Sequence, residues 1–324
     1  MKRRNSYFDA LRGIAILMVV AIHTFMACDF DCFINYMTIG IRQLLNMAVP
    51  LFLAISGFFI GRKNFDNINQ VLVFWKKQIC KVYIPVLFWS LFYLGEDLYN
   101  GKHIVRSLVE YFICGYSVYY FIALIIQCYL LLPLIQRYLM HRLWGGIGCI
   151  SIICVTSIVY LRLNELPIII YAGPFIVWLI FFWLGVYLSK ISNNYPIKYI
   201  IIGIMVSIIF MFFESEFIHY NQGGGYGIKP SSFIFSILMI LVLFSKKTEK
   251  CFSKDNYIKR WLVKLGNYSF PIYLTHYFIV DILYSINSNL CWFMRWLSVV
   301  GVSILSIYIM RKLLPQKGIK LIGL

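Results

Sequence analysis

Apolar residues gather along the whole chain into runs of about twenty, each long enough at about 1.5 Å per helical residue to cross a hydrocarbon layer of roughly 30 Å. Ten such runs occupy approximately 8–29, 43–61, 82–100, 118–136, 145–162, 168–189, 197–214, 231–245, 266–285 and 291–311, the eighth being the shortest. The pattern predicts an all-α polytopic membrane protein of about ten transmembrane helices, forming one integral-membrane domain over residues 1–324. No linker or low-complexity tract divides it, and no clear internal repeat is present. The longer connections fall at 62–81, 101–117, 215–230 and 246–265. Segment 104–115 carries Ile104, Leu108, Tyr111 and Phe112 near helical spacing; it reads as an amphipathic or re-entrant helix at the interface. Residues 223–227, GGGYG, follow no strand and open no helix, so they are expected to form a flexible loop rather than a nucleotide fingerprint.

Composition agrees. Hydrophobic residues make up 61% and charged residues 13% of the sequence, and the mean hydropathy is +0.77, far from a soluble domain. Charge then orients the helices, because Lys and Arg are retained on the cytoplasmic side. With the N-terminus inside, inner segments hold 23 of the 30 basic residues. Only Arg42, Lys102, Arg106, Arg162, Lys229 and Arg295 fall outside, and Arg12 lies within the first helix. Both termini are therefore expected in the cytoplasm, and the net charge of +17 reflects topology rather than a nucleic-acid surface. The first apolar run is too long for a signal-peptide core, so it is expected to remain attached. Nine cysteines form no CxxC pair and imply no metal site; Cys28 and Cys32 read equally as a disulfide in an oxidising space or as two free thiols.

Ionisable groups within an apolar span raise a functional hypothesis. In DALRGIAILMVVAIH, residues 9–23, Arg12 and His23 stand eleven positions apart. Eleven helical steps of about 100° return to the same face within about 20°, and they climb roughly 16 Å. Arg12 reads either as a cation snorkelling to the interface or as a fixed, forked cation for phosphate, oriented by Asp9 three residues earlier. His23 reads as a packed polar residue or as an acid–base group. In LGNYSFPIYLTH, residues 265–276, Tyr273 and His276 are spaced to line one cavity; a hydrogen-bonded packing histidine is the alternative. Lys76, Lys77 and Lys81 lie at the inner mouth of the third span, where topology alone accounts for positive charge. Pro50, Ser56 and Gly57 allow close helix contact, and Gln127 needs a partner inside the bundle.

The stretches FDALRGIAILMVVAIH, VPLFLAISGF, YYFIALIIQCYLLLP, FWLGVYL and LGNYSFPIYLTH occur in that order, and the set resembles the acyltransferase-3 family of bacterial membrane acyltransferases over roughly residues 5–310. The resemblance implies ten membrane helices in a multi-pass protein of the bacterial cytoplasmic membrane. It also implies an acyl donor such as acetyl-CoA on the cytoplasmic side and an acceptor hydroxyl, often on a surface glycan. The family's pattern of Arg, ten residues, then His is met by Arg12 and His23, which makes His23 the expected catalytic residue. The family's Arg-x-x-Arg motif is not met, since Gln78 and Lys81 have that spacing with Lys77 alongside.

On this reading Arg12, helped by Lys77 and Lys81 as donor-binding residues, holds the phosphates of acetyl-CoA or another acyl-CoA. The extended pantetheine arm, about 15 to 20 Å by bond counting, matches the climb to His23. His23 then acts as general base on the acceptor hydroxyl or takes the acyl group first. Tyr273 and His276 are expected to orient the acceptor, a glycan or lipid-linked sugar, or to stabilise the oxyanion. The competing reading is a transporter or flippase for a lipid-linked sugar or small polar solute, whose polar groups line a passage; a structural membrane scaffold is the third.

Overall fold

Asn5 opens the first helix by accepting the backbone N–H of Tyr7 at 3.0 Å, the usual way a short polar side chain satisfies an orphan donor at a helix start. Asn67, Ser245 and Asn256 cap later helices in the same manner. The computed structural model describes residues 5–138, 144–191, 196–252 and 254–324; Lys2, Arg3, Arg4 and Arg142 of the charge count lie outside them. Among the described residues the elements are helical throughout: α1 (Ser6–Thr24), α2 (Phe33–Leu44), α3 (Ala48–Ile60), α4 (Ile68–Tyr99), α5 (Ile104–Phe112), α6 (Tyr120–Tyr138), α7 (Trp144–Tyr160), α8 (Ile168–Tyr171), α9 (Phe175–Leu188), α10 (Ile197–Gln222), α11 (Pro230–Leu243), α12 (Lys246–Cys251), α13 (Tyr257–Asn267), α14 (Ser269–Ile286), α15 (Trp292–Leu313) and α16 (Gln316–Leu321).

Each of the ten apolar runs carries a helix. Among the described residues, six spans are long and apolar enough to cross a membrane: α1, Phe33–Ile60, α4, Ser117–Arg137, α10 and α15; α7, α9 and α11 are shorter apolar helices. The membrane reading also rests on what faces outward. On α10, Ile201, Met205, Ile209, Phe210 and Phe213 are all exposed, an apolar surface that only lipid would cover favourably.

Several boundaries differ from expectation for physical reasons. The helix expected at 82–100 starts at Ile68, because Phe74 is buried and the Trp75 indole donates to the Tyr129 carbonyl at 3.0 Å, packing the preceding turns on α6. Its 32 residues extend about 48 Å, beyond a hydrocarbon layer. The run at 168–189 breaks between α8 and α9 at Ala172–Pro174. Gln127 heals the break: its amide donates to the Gly173 carbonyl at 2.9 Å and its oxygen accepts the Phe175 N–H at 3.0 Å. That is the bundle partner its position demanded. Segment 104–115 contains α5, which buries Ser107 and exposes Ile104, Val105, Leu108, Val109 and Phe112. The GGGYG stretch is a correction. Gly225 accepts hydrogen bonds from Ser215 and Lys229, and Tyr226 accepts one from Asn46 through its carbonyl and donates its own hydroxyl to Cys28. The loop is anchored on all sides. All nine cysteines are free thiols.

Two apolar cores fill the bundle. One centres on α3, α6, α9 and α11, the other on α1, α4, α14 and α15, and Met18, Phe52 and Phe121 border both. Close approach depends on missing side chains. A Cβ on Gly266 of α13 would overlap the Asp9 carbonyl of α1, and one on Gly185 of α9 would overlap the Ala54 carbonyl of α3. Backbones in apolar surroundings pack tightly through such small residues.

Gly185→Val is expected to destabilise the protein by about 3 kcal/mol, while Gly301→Val, at a position with open space, leaves it near wild type. Detergent-solubilised thermal melts of the two variants provide the check.

Candidate functional site

A cavity of about 470 Å³ runs along the seam between the two cores, with Arg12 toward one end, His23 farther along, and Arg42, Gly225 and Gly227 at the other. The N-terminal end of α1 is called basal here and its C-terminal end apical. At the basal end Tyr7 reaches the Leu243 carbonyl at the close of α11. At the apical end Phe25 packs on Tyr226 and on Trp292, the first residue of α15.

The helix spacing of Arg12 and His23 is realised: both line this one cavity. Asp9 orients the guanidinium, accepting from Nη1 at 3.0 Å while itself 2% exposed. The guanidinium also stands 4.9 Å from the centre of the Phe59 ring, an arrangement that favours a desolvated cation. Phe58 beside it carries Arg62 over its face at 4.4 Å, and Lys63 lies 4.7 Å from the Phe74 ring. Desolvation there, and then the charge of Lys77, hold the Lys63 ammonium below its ordinary pKa. Arg62 and Lys63 thus follow the end of α3 close to the ring cluster that borders Arg12, while Arg12 is the member of this group that lines the cavity.

Lys77 and Lys81 themselves occupy exposed positions on α4, and neither lines the cavity; Val82, the next residue, does. Lys77 is within electrostatic range of Lys63. Tyr273 and His276 part company. Tyr273 lines the cavity, with its hydroxyl proton committed to the Val118 carbonyl at 2.6 Å. His276 is fully buried behind it and does not line the cavity, contrary to the expectation that both would. Instead its ring lies 5.4 Å from the His23 ring, centre to centre. The Nδ1 of His276 is 2.8 Å from the Tyr273 carbonyl and 3.1 Å from the Ile272 carbonyl. Carbonyls only accept, so Nδ1 carries the proton and Nε2 presents a lone pair. That Nε2 is buried without a partner among the described residues.

Sequence reasoning passed over the apical end. Arg42 lines the cavity there, and its Nη1 donates to Asn46 at 2.6 Å. Gln43 donates to Ser215 at 2.8 Å, and Asn46 donates to Gln43 at 3.2 Å. Lys229, 1% exposed, donates to Gln43 and to the Gly225 carbonyl. Burial lowers the Lys229 pKa to about 7; Glu214 partly opposes that effect and Arg42 reinforces it. The available signal was the charge count, in which Arg42 and Lys229 are exceptions.

Residues 5–311 match the profile of the acyltransferase-3 family, described as an acyltransferase domain. A protein of Enterococcus faecalis named an amino-acid racemase is 30% identical over 272 residues, which are 74% of this chain and 38% of that protein. The chain thus spans less than two-fifths of that relative's length. A protein of Bacillus subtilis (strain 168), provisionally named a membrane-bound acyltransferase, YfiQ, is 23% identical over 311 residues, covering 86% of this chain and 82% of its own. No solved structure matches the chain.

The Lys229 network carries a pH signature. Unfolded, this lysine holds its proton up to the ordinary value of 10.5, while folded it releases it at about 7. Between those values the unfolded state binds more protons, so stability rises with pH across that window. The melting temperature of wild type relative to Lys229→Met is expected to climb from pH 7 toward pH 9, and a flat difference would contradict the assignment.

Proposed function

The chain belongs to the acyltransferase-3 family, and from that premise we propose that it moves an acyl group, most simply acetyl, from a CoA thioester at the basal mouth to a hydroxyl of a glycan or glycan precursor. The observation that carries this reading is one cavity touching both Arg12 and His23. Arg12 on the cavity wall, with Arg62 and Lys63 after the end of α3 nearby, suits the phosphates of CoA, and the mostly apolar wall beyond it, including Phe52, Phe121 and Phe270, suits an extended acyl-pantetheine arm. With the basal end facing the cytoplasm, as the basic residues favour, donor and acceptor approach His23 from opposite sides of the bilayer.

The chemistry assigned to His23 balances within the two substrates. His276 holds its Nδ1 proton on backbone carbonyls, and its Nε2, unpartnered among the described residues, is on a ring 5.4 Å from the His23 ring. In this scheme the two rings draw together as the substrates bind, so that Nε2 accepts an N–H of His23 and leaves the second His23 nitrogen as the base toward the cavity. His23 removes the proton of the acceptor hydroxyl as the oxygen bonds to the thioester carbonyl carbon. As the carbon–sulfur bond breaks, His23 returns that proton to the departing thiolate, giving the ester and free CoA. In this scheme His276 is a positioning residue, and Tyr273 shapes the cavity wall; its hydroxyl proton is already engaged.

The family and the Bacillus subtilis relative support an acyltransferase over a transporter, although a passage lined by polar groups would serve either. Labelled acetyl-CoA with candidate glycans, assayed on purified protein, tests the proposal. His23→Ala is expected to lose transfer by about 100-fold or more while remaining folded; undiminished transfer would remove the chemistry. Arg12→Ala is expected to raise the donor KM about tenfold with a smaller change in kcat. His276→Gln should lower kcat and move the pH profile of kcat while leaving the donor KM in place. A change confined to thermal stability would reduce His276 to packing.

A further inference from the structure

The apical end of the cavity holds cationic groups that donor binding does not use. Arg42 is 7% exposed and lines the cavity, yet its partners among the described residues are neutral or aromatic: Asn46 on Nη1, and the Phe25 ring at 5.7 Å. Its Nε is buried with no partner. Lys229 behind it is bonded to the Gln43 oxygen and the Gly225 carbonyl, both neutral. Neither cation belongs to an ion pair among the described residues. Glu214, the acid within electrostatic range of Lys229, already accepts from Tyr160 at 3.2 Å and from the Ser231 N–H at 3.0 Å.

A buried guanidinium without a counter-ion is costly, and its delocalised charge favours an anionic partner that matches its fork. Here the surrounding network does not neutralise Arg42; it holds it in place. Asn46 fixes one Nη, Asn46 and Gln43 tie to each other, and Gln43 ties onward to Ser215 and Lys229. Gly225 and Gly227 form the adjoining wall, and at Gly227 a Cβ would meet nothing within 4 Å, which leaves room for a ligand beside the fork. Arg42 and His23 line the same cavity, and the Arg42 guanidinium lies 5.7 Å from the ring centre of Phe25, two residues after His23, so a group held by the fork sits toward the His23 end of the cavity rather than the Arg12 end.

We propose that Arg42, braced by Asn46 and with Lys229 behind it, receives an anionic group, a carboxylate or a phosphate, on the acceptor whose hydroxyl is acylated at His23. The inference rests on the acyl-transfer reading for the word acceptor, but the site itself is tested by binding alone. An acidic sugar or a sugar phosphate would anchor through the fork, while a neutral sugar would leave Arg42 uncompensated. Specificity of this kind arises because a buried polar group is penalised when its partner is missing.

The test uses the purified full chain with Arg12→Gln in the background, which removes the cavity-lining cation at the basal end. Glucuronate, glucose 1-phosphate and glucose are titrated by calorimetry. Glucuronate or glucose 1-phosphate is expected to bind at least about tenfold more tightly than glucose, and Arg42→Gln is expected to abolish that preference. Whichever anion is preferred identifies a carboxylate or a phosphate as the group recognised. Should Arg42→Gln fail to fold, Arg42→Lys carries the measurement: a point charge without the fork is expected to weaken anion binding several-fold. Equal binding of glucose and the anions, an absence of anion binding, or anion binding indifferent to both Arg42 substitutions overturns the proposal. Retained anion selectivity in a protein that transfers no acyl group would instead overturn the acyl-transfer reading and leave an anion site.

Discussion

A charge inside an apolar bundle has no water to return to, so it must be paired, stacked on a ring, or left facing a cavity. The described helices are arranged around that constraint. Arg12 is paired with Asp9 and stacked on Phe59. Arg295, fully buried on α15, lies 3.8 Å from the centre of the Tyr284 ring and donates to the Ser288 carbonyl at 2.6 Å. Arg42 combines a single neutral hydrogen-bond partner with an open cavity wall. The same constraint governs the backbone, where Gln127 supplies both the donor and the acceptor that the break before α9 leaves over.

The path from Arg12 to His23 follows from one helix, since a rigid α-helix fixes the face and the rise together. What α1 cannot supply is the environment at the far end. That comes from α14, which brings His276 against His23 from more than 250 residues away in sequence. The crossing of α1 with α13 at Gly13 and Gly266 brings those two backbones together directly before α14 begins at Ser269. Packing and chemistry are therefore coupled: a side chain added at the basal crossing would displace the helix that carries both Arg12 and His23.

Much of this was legible in the sequence, and the misses have physical causes. Apolar runs of membrane length gave the helices, and the eleven-residue interval gave the shared face of Arg12 and His23, because both depend on local geometry. The extension of α4 was missed because Lys76, Lys77 and Lys81 look like a connection, whereas their side chains project from a helix whose other face buries Phe74. Their exposure is also why Lys77 and Lys81 stay off the cavity wall. His276 was placed in the cavity from its spacing to Tyr273, but its orientation is set by the Ile272 and Tyr273 carbonyls and by packing on His23. The glycine loop was misread because two of its anchors, Asn46 and Cys28, lie far from it along the chain, and the third, Ser215, reaches it from within the preceding helix α10.

The charge asymmetry held more information than orientation. It singled out six cations on the side where few are expected, and the structure divides them. Lys102, Arg106 and Arg162 are exposed, the first two paired with Asp97 and Glu110, as cations in a solvated segment ordinarily are. Arg42, Lys229 and Arg295 are buried. A cation that opposes the topological bias and is also removed from solvent is disfavoured twice, once by retention on the wrong side and once by desolvation. Arg295 rests on its ring and carbonyl contacts, with Nε and Nη1 unpartnered among the described residues. What distinguishes Arg42 is its place: it lines the cavity, with Lys229 joined to it through Gln43 and Asn46, at the end that Arg12 does not serve. The polarity of the cavity, cationic at both ends with an imidazole between them, follows from where the bundle tolerates charge.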